Sequence, residues 1–555
     1  VYCKMYQNIW KYIKNFICVL KSIIISFIII ILLMYFSNSY FFSKSVLFFN
    51  TIILFLFLLG IRLIARFIYS KKFSKPNCQN ILIAGIDEKA KQLLQNFNQF
   101  SNIIYNPIGF IDEDTRKIGK VIEGIKVLGT WNDIPDIVAI QNVKEIFISS
   151  KIPVPEIKTI IEFCKKAKIN YKIIPCVKDL LSNKIIHLSE VRNIEILDIL
   201  ERESINLDFL SISNFLKGKK VLVTGAGGSI GSELCKQIYS NYNAKSLTLV
   251  DKTENYLYEI ECELENIKSS CKYFSYLCDI THKNKLKTIF EHSKPDIIFH
   301  TAAYKHVPLS EKNFIETIEN NIFGTKIIAD LTNEFGINCF TMISTDKAVN
   351  PTSIMGATKR IAEIYIQNLS QKSNTKYLTV RFGNVLNSKG SVIPLFQKQI
   401  EKGGPITITH PEMERYFMTI SESVQLILQS ATLGQKKEIF ILDMGKPIKI
   451  IDLCKEMIKL SGYNLEKFQI KFIGLRPGEK LSEKLFEQEE KILPCSHPNI
   501  KILKPIHFSN DIEKDLIELQ QLIQSNPSFN QIAIKLQKII PSYKSNFFAN
   551  IEPTI

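Results

Sequence analysis

One turn constrains this chain more than any other feature. The apolar run 220–224 (KVLVT) leads straight into Gly225-Ala226-Gly227-Gly228-Ser229-Ile230-Gly231, and helical spacing follows over 232–239. Glycines at those intervals allow a tight turn, close approach of backbone to a pyrophosphate, and close packing of helix on strand. The helix N-terminus then faces the negative charge. A second apolar run, 246–250, ends at Asp251, where a carboxylate reaches adenosine ribose hydroxyls and repels a 2′-phosphate. Strand, glycine turn, helix, strand and acid in that order predict a doubly wound parallel α/β domain that binds a dinucleotide. Asp251 favours NAD over NADP, although Lys252 beside it works against that discrimination.

Further strand ends follow. Asp279 and Ile280 close the next run and border the adenine. The run 296–300 (DIIFH) enters Thr301-Ala302-Ala303-Tyr304-Lys305-His306, where Ala302 and Ala303 let backbone lie against the cofactor. The run 340–344 enters Thr345-Asp346-Lys347, and 378–382 precedes Asn384. In doubly wound sheets such C-terminal ends line the ligand crevice.

Residues 78–185 alternate short apolar runs with helical segments, which reads as a smaller parallel α/β unit. Its first turn, Gly85-Ile86-Asp87-Glu88, has one glycine and two acids. An acidic turn repels phosphate, so the expectation is a nucleotide-binding-like fold whose own ligand site is lost or altered.

Upstream, 22–36 (SIIISFIIIILLMYF) and 46–61 (VLFFNTIILFLFLLGI) approach the ~20 residues a bilayer requires. Lys4, Lys11, Lys14 and Lys21 precede the first stretch; Arg62, Arg66, Lys71 and Lys72 follow the second; only Lys44 lies between. The positive-inside rule then predicts a transmembrane hairpin with both ends cytoplasmic. The expected localisation is the inner membrane, multi-pass, with the catalytic domain facing the cytoplasm. The 12 cysteines form no C-x-x-C pair and read as buried thiols, with no metal site expected. The net charge of +16 comes from dispersed lysine without an aromatic-interleaved basic stripe, so no nucleic-acid partner is expected. A hydrophobic content of 46% excludes a mainly disordered chain.

The expected organisation is a membrane anchor of two helices (1–72), a Rossmann-like α/β domain with a degenerate glycine motif (73–185), and a linker or arm (186–217). A Rossmann domain with a small substrate-binding lobe (218–510) and C-terminal amphipathic helices (511–555) complete it.

The GxxGxxG spacing resembles the extended short-chain dehydrogenase/reductase superfamily, whose Tyr-x-x-x-Lys helix moves a hydroxyl proton. Here the helix reads Met355-Gly356-Ala357-Thr358-Lys359, and methionine cannot transfer a proton. The stretches 221–235, 300–313, 343–360 (ISTDKAVNPTSIMGATKR), 380–400, 409–420 and 475–486 (LRPGEKLSEKLF) are similar to the membrane-anchored UDP-N-acetylglucosamine 4,6-dehydratases of polysaccharide biosynthesis, where that methionine is common. Family members often carry four spans. The two here, in a chain beginning at Val1, lead to the expectation of a missing N-terminus or a shortened anchor. The family's arm usually has Gly where Glu201 stands.

The resemblance implies a UDP-N-acetylhexosamine substrate, catalytic use of NAD, and a homo-oligomer. It assigns Asp346 as general acid and Lys347 as the base at C5, and keeps Lys359 on the cofactor ribose. The C4 base stays open between Thr345, through water, and Asp346 acting twice; Met355 packs against nicotinamide or sugar. Asn384, Ser391 and Val392 are expected at the substrate, Arg415 and Arg476 at its diphosphate, and Lys305 and His306 near the sugar. Glu479 joins them through the RPGEK motif. The competing readings are a UDP-hexose 4-epimerase or reductase, and a non-catalytic membrane-tethered sensor of NAD or sugar nucleotide.

Overall fold

A computed structural model describes residues 79–99 (side chains to 94), 105–174, 191–192, 207–461, 463, 465–487, 490–504 and 511–545, with Phe49, Ile53 and Phe57 upstream. Both apolar stretches otherwise lie outside the described residues, as do most of the arm and Glu201. Among the described residues no helix is long and apolar enough to cross a membrane. The chain divides into two compact units, 1–199 and 200–555.

The first unit holds a six-stranded sheet in the order β3-β4-β2-β1-β5-β6. The strands are β1 (Gln79–Ala84), β2 (Tyr105–Ile111), β3 (Val121–Ile122), β4 (Ile125–Gly129), β5 (Glu145–Ser149) and β6 (Asn170–Ile174). All neighbours are parallel except β3 and β4. Ile81 to Ala84 and Ile146 to Ile148 are fully buried, the continuous apolar signature of strands covered on both faces.

The second unit is larger. Six of its strands, from one edge inward, lie in the order β9-β8-β7-β10-β11-β12 and are parallel. They are β7 (Lys220–Thr224), β8 (Ser246–Asp251), β9 (Lys272–Leu277), β10 (Ile297–His300), β11 (Cys339–Thr345) and β12 (Lys376–Phe382). The strand Ile439–Leu442 extends the sheet in parallel beyond β12, and Ile500–Leu503 and Ile492–Leu493 close it antiparallel. Strand order reverses at β7 and β10, so the crevice opens beyond residues 224 and 300. Val221 and Val223 join one core cluster and Leu222 the other, the period of two that a doubly covered sheet requires.

The glycine turn enters its helix earlier than the spacing suggested. That helix is Ser229–Asn241 with Gly228 as N-cap, so Ser229, Ile230 and Gly231 form its first turn. The helix Phe209–Leu216, within the segment read as a linker, buries Ile212 and Leu216 in the first cluster. Two C-terminal helices, Ile512–Gln524 and Phe529–Ile539, add Leu516, Leu519, Ile532 and Leu536 to the second. Beside the sheet, short strand pairs build a small lobe: Asn384–Val385 with Phe417–Met418, Ile406–Ile408 with Ile470–Phe472, and Glu414–Arg415 with Ile448–Lys449. The eight described cysteines are all free thiols.

Candidate active site

Gly225 has φ +68°, and a Cβ there would stand 2.7 Å from the Ala302 nitrogen; one at Gly231 would stand 2.0 Å from the Gly225 carbonyl oxygen. Only glycine lets the helix seat on this turn. Gly227 lies against Tyr256, and the Gly228 N–H donates to the Gly225 carbonyl at 3.0 Å. Asp251 is buried and tied to the turn: Oδ2 accepts from the Gly227 N–H at 2.9 Å and Oδ1 from the Thr253 N–H at 2.9 Å. Lys252 is engaged elsewhere. Its Nζ donates to Asn320 Oδ1 at 3.2 Å and to the Tyr304 hydroxyl, and lies 3.6 Å from Asp279 Oδ2. Burial pushes the Asp279 carboxyl up, but Thr281 hydrogen bonds and the Lys252 charge hold it below its usual value. Ile280 fills the space beside Gly324, and Ala302 and Ala303 line the crevice end of β10. A narrow turn, an anchored acid and a diverted lysine fit a dinucleotide without a 2′-phosphate.

Beyond β11 the short turn Asp346–Ala348 carries the reactive types. Asp346 is fully buried. Its Oδ1 accepts from Thr345 Oγ1 at 2.9 Å and Lys347 Nζ at 3.0 Å, while Oδ2 has no partner among the described residues. A Cβ at Gly383 would approach that free oxygen to 3.1 Å. Lys347 Nζ also donates to Asn384 Oδ1 at 3.0 Å. Met355 and Lys359 are buried on the helix Ile354–Lys372. Burial lowers the Lys359 ammonium to about 8, opposed by the Glu363 charge. Gly356, to which no role was given, sets how closely this helix approaches: a Cβ there would lie 2.3 Å from the Lys347 carbonyl oxygen.

Beneath the turn lies a buried charge cluster that motif reading missed. Glu363 accepts from Ser344 Oγ at 2.6 Å, Arg381 Nη2 at 2.6 Å and Arg360 Nη1 at 3.0 Å; Glu490 accepts from both arginines. Burial pushes the Glu363 carboxyl up, yet the two guanidiniums bring it down to about 2. The sequence signal was the glutamate one turn beyond Lys359.

The substrate candidates separate. His306 packs on Gly390, where a Cβ would come within 2.7 Å of its ring. Burial and then the Lys347 charge lower Lys305; burial and then Lys305 lower His306. Ser391 N-caps the helix Val392–Glu401, with its Oγ buried and unpartnered. Arg415 departs from the expected diphosphate fork. It is buried, and its guanidinium donates to the carbonyls of Glu414, Leu481 and Lys480 at 2.7, 2.9 and 2.8 Å, clamping the 480–481 backbone. Arg476 is exposed, and its N–H donates to Glu479 Oε2 at 3.2 Å. Within that motif it is the unassigned Lys480 that reaches toward the 346–348 turn, donating to the Val349 carbonyl at 2.8 Å. Asn321, also missed, is fully buried and joins Tyr304, through both its backbone N–H and carbonyl, to Thr358.

The first unit's turn is built differently. Gly85 has φ +86°. Asp87 accepts from the Ala90 N–H at 2.7 Å and from Ser149 Oγ at 2.7 Å, so a carboxylate already occupies the helix N-terminus. Asp112 pairs with Lys117 at 2.8 Å, and burial and then the Glu113 carboxyl push Glu156 up.

The second unit is therefore a Rossmann-type α/β protein with a dinucleotide turn after β7 and, after β11, a buried Asp346 paired with a half-buried Lys347. Residues 221–505 match the model of the polysaccharide biosynthesis protein family, and 5–175 match a CoA-binding domain model. A probable polysaccharide biosynthesis protein, EpsC of Bacillus subtilis (strain 168), is 40% identical over 453 residues, 80% of this chain and 75% of that one. An inverting UDP-N-acetylglucosamine 4,6-dehydratase of Campylobacter jejuni (strain 81-176) is 30% identical over 302 residues, 54% of this chain and 86% of that one. A UDP-glucose 4-epimerase of Rickettsia bellii (strain OSU 85-389) is 32% identical over 278 residues, 49% and 79% of the two chains. The chain belongs to the polysaccharide biosynthesis protein family. The first unit's turn fits the diphosphate of coenzyme A poorly, because the Asp87 carboxylate already stands at the helix N-terminus, accepting from the Ala90 N–H, where its charge opposes a phosphate.

Proposed function

We propose that the chain is an NAD-dependent 4,6-dehydratase acting on a UDP-N-acetylhexosamine, UDP-N-acetylglucosamine first, to give the UDP-4-keto-6-deoxy sugar for capsule, O-antigen or glycan synthesis. The observation that carries this reading is Asp346: buried, with Oδ1 fixed by Thr345 and Lys347 and Oδ2 free beside Gly383. The 225–231 turn, Asp251 and Lys359 would hold NAD, which would supply hydride acceptance at C4 and hydride return at C6. The proton balance then closes on two side chains. Asp346 takes the C4 hydroxyl proton and delivers it to the departing C6 hydroxyl, which leaves as water. Lys347 takes the C5 proton made acidic by the C4 ketone, and returns it to C5. Thr345 and Asn384 hold this pair in register, and each positioned acid or base is worth about 10²–10⁴ in rate. The buried Lys359 holds the cofactor ribose. The partnerless Ser391 hydroxyl with the start of its helix and the exposed Arg476 meet the diphosphate, while Lys305 and His306 face the sugar.

Met355 argues against an epimerase, which needs a proton-transferring tyrosine at that position and has no use for Asp346 with Lys347. Anchoring in the inner membrane rests on the stretches 22–36 and 46–61 and their flanking charge. Phe49, Ile53 and Phe57, apolar, helical and exposed at intervals of four, are in keeping with that reading.

The test is mass spectrometry of UDP-N-acetylglucosamine incubated with the purified chain. Loss of one water, absent with Asp346→Asn and with Lys347→Ala, is the expected result. An unchanged mass accompanied by the C4 epimer would replace the dehydratase with the epimerase.

A further inference from the structure

A dehydratase that returns its hydride within each turnover has no need to release NAD, and one loop is placed to retain it. Residues 386–391 connect the small lobe to the helix Val392–Glu401. Leu386 N–H is held by the Met418 carbonyl at 2.8 Å and Ser391 N–H by the Ser388 carbonyl at 3.0 Å. Between those anchors the chain turns at Asn387 (φ +56°) and Gly390 (φ +74°). The turn at Gly390 places the backbone against the His306 ring, with no room for a Cβ. Lys389 points the other way, onto the cofactor turn. Its backbone N–H donates to Ser229 Oγ at 3.0 Å, at the first residue of the helix whose N-terminus faces the pyrophosphate. Its Nζ lies 3.7 Å from the centre of the Tyr256 ring and donates to Glu259 Oε2 at 2.6 Å. Tyr256 is the residue against which Gly227 packs, and both Tyr256 and Glu259 belong to the helix Glu254–Glu265, which follows Asp251.

We propose that Lys389 is a latch that holds the 386–391 loop across the glycine turn and slows release of the bound dinucleotide. The proposal rests on the reading of this site as an NAD site. One residue bridges the two ends of the cradle, its backbone N–H at the pyrophosphate end and its side chain at the ribose-acid end, while the next residue abuts His306 on the substrate side. The latch is weak by design: the lysine and glutamate side chains are 47% and 57% exposed. An exposed ion pair together with a surface cation–π contact slows release by roughly 3- to 10-fold.

The experiment is the rate at which NAD leaves the purified full chain, followed after dilution into an enzyme that consumes free NAD. Lys389→Glu accelerates release about fivefold and Glu259→Lys somewhat less, and the two charge reversals combined recover part of the original rate, because the ion pair is rebuilt and the Tyr256 ring contact is not. Lys389→Arg, which keeps the cation and the ring contact, stays near the parent. Diluted Lys389→Glu protein loses activity that added NAD restores. Release at the parental rate in both single variants, or no restoration in the double variant, overturns the latch. A parent chain that neither carries nor binds NAD would instead remove the functional reading beneath it.

Discussion

Both units bring a parallel strand to a turn and then to a helix, yet the two turns make opposite provision for charge. In the second unit, glycines at 225, 227, 228 and 231 leave the helix N-terminus open, and its nearest acid, Asp251, is drawn back onto the Gly227 N–H. In the first, Asp87 caps its own helix and ties itself to Ser149 on the neighbouring strand. A switch-point crevice is thus a property of the sheet, while the ability to take phosphate belongs to a few residues of the turn. A carboxylate that has taken the helix N–H competes with the phosphate the fold would otherwise attract.

Substitutions at the turns break this comparison most sharply. Gly231→Val drives side-chain atoms into the Gly225 carbonyl, so dinucleotide binding by calorimetry falls by at least about 100-fold, the loss of a steric fit worth roughly 3 kcal/mol. Gly85→Ala in the first unit leaves that binding untouched. It forces a side chain to φ +86° against Ile152 and lowers stability by about 1–3 kcal/mol in denaturant unfolding. Next in size, Asp346→Asn and Lys347→Ala lower turnover by about 10²–10⁴ with NAD still bound, which separates cradle from chemistry.

Two pH effects are smaller. Burial lowers Lys359 to about 8, so if it holds the ribose as proposed, NAD binding weakens as pH rises through that value, and Lys359→Met binds NAD weakly with a flat profile. Glu311, buried and accepting the Ile354 N–H at 2.7 Å, is pushed up by burial to about 7. Its folded value lies above its unfolded one near 4.5, so its contribution to stability is complete below about 4.5 and is lost as pH rises toward 7. Glu311→Gln keeps an acceptor for that N–H and flattens the loss in thermal unfolding. Smallest of all, Asp87→Asn removes a charge while keeping a capping oxygen. It shifts stability by a few tenths to about 1 kcal/mol and leaves NAD stoichiometry unchanged.

How much of this was legible in the sequence follows the distance over which each feature is encoded. The glycine turn, Asp251, the Asp346–Lys347 pair and the Met355–Lys359 helix are local patterns, and the structure brings each to the same crevice. Arg415 looks in the sequence like a free anion fork, and the backbone carbonyls its guanidinium meets lie 65 and 66 residues away, partners that no local spacing announces. Glu490 meets Arg381 across 109 residues, a contact no spacing announces. In the RPGEK stretch, residue types identified the motif but not its inward face: Arg476 is exposed and Lys480 reaches the turn. The start of the helix at Ser229 was placed three residues late because glycine was read as turn alone, whereas Gly228 is the N-cap.

The comparison comes to a head in one number, the NAD released per chain when the purified protein is denatured, measured for the parent and for Gly231→Val. One NAD per chain in the parent and none in the variant is the predicted result. Two per chain, or one that survives Gly231→Val, would place a dinucleotide outside the 225–231 turn and contradict the assignment of the two crevices.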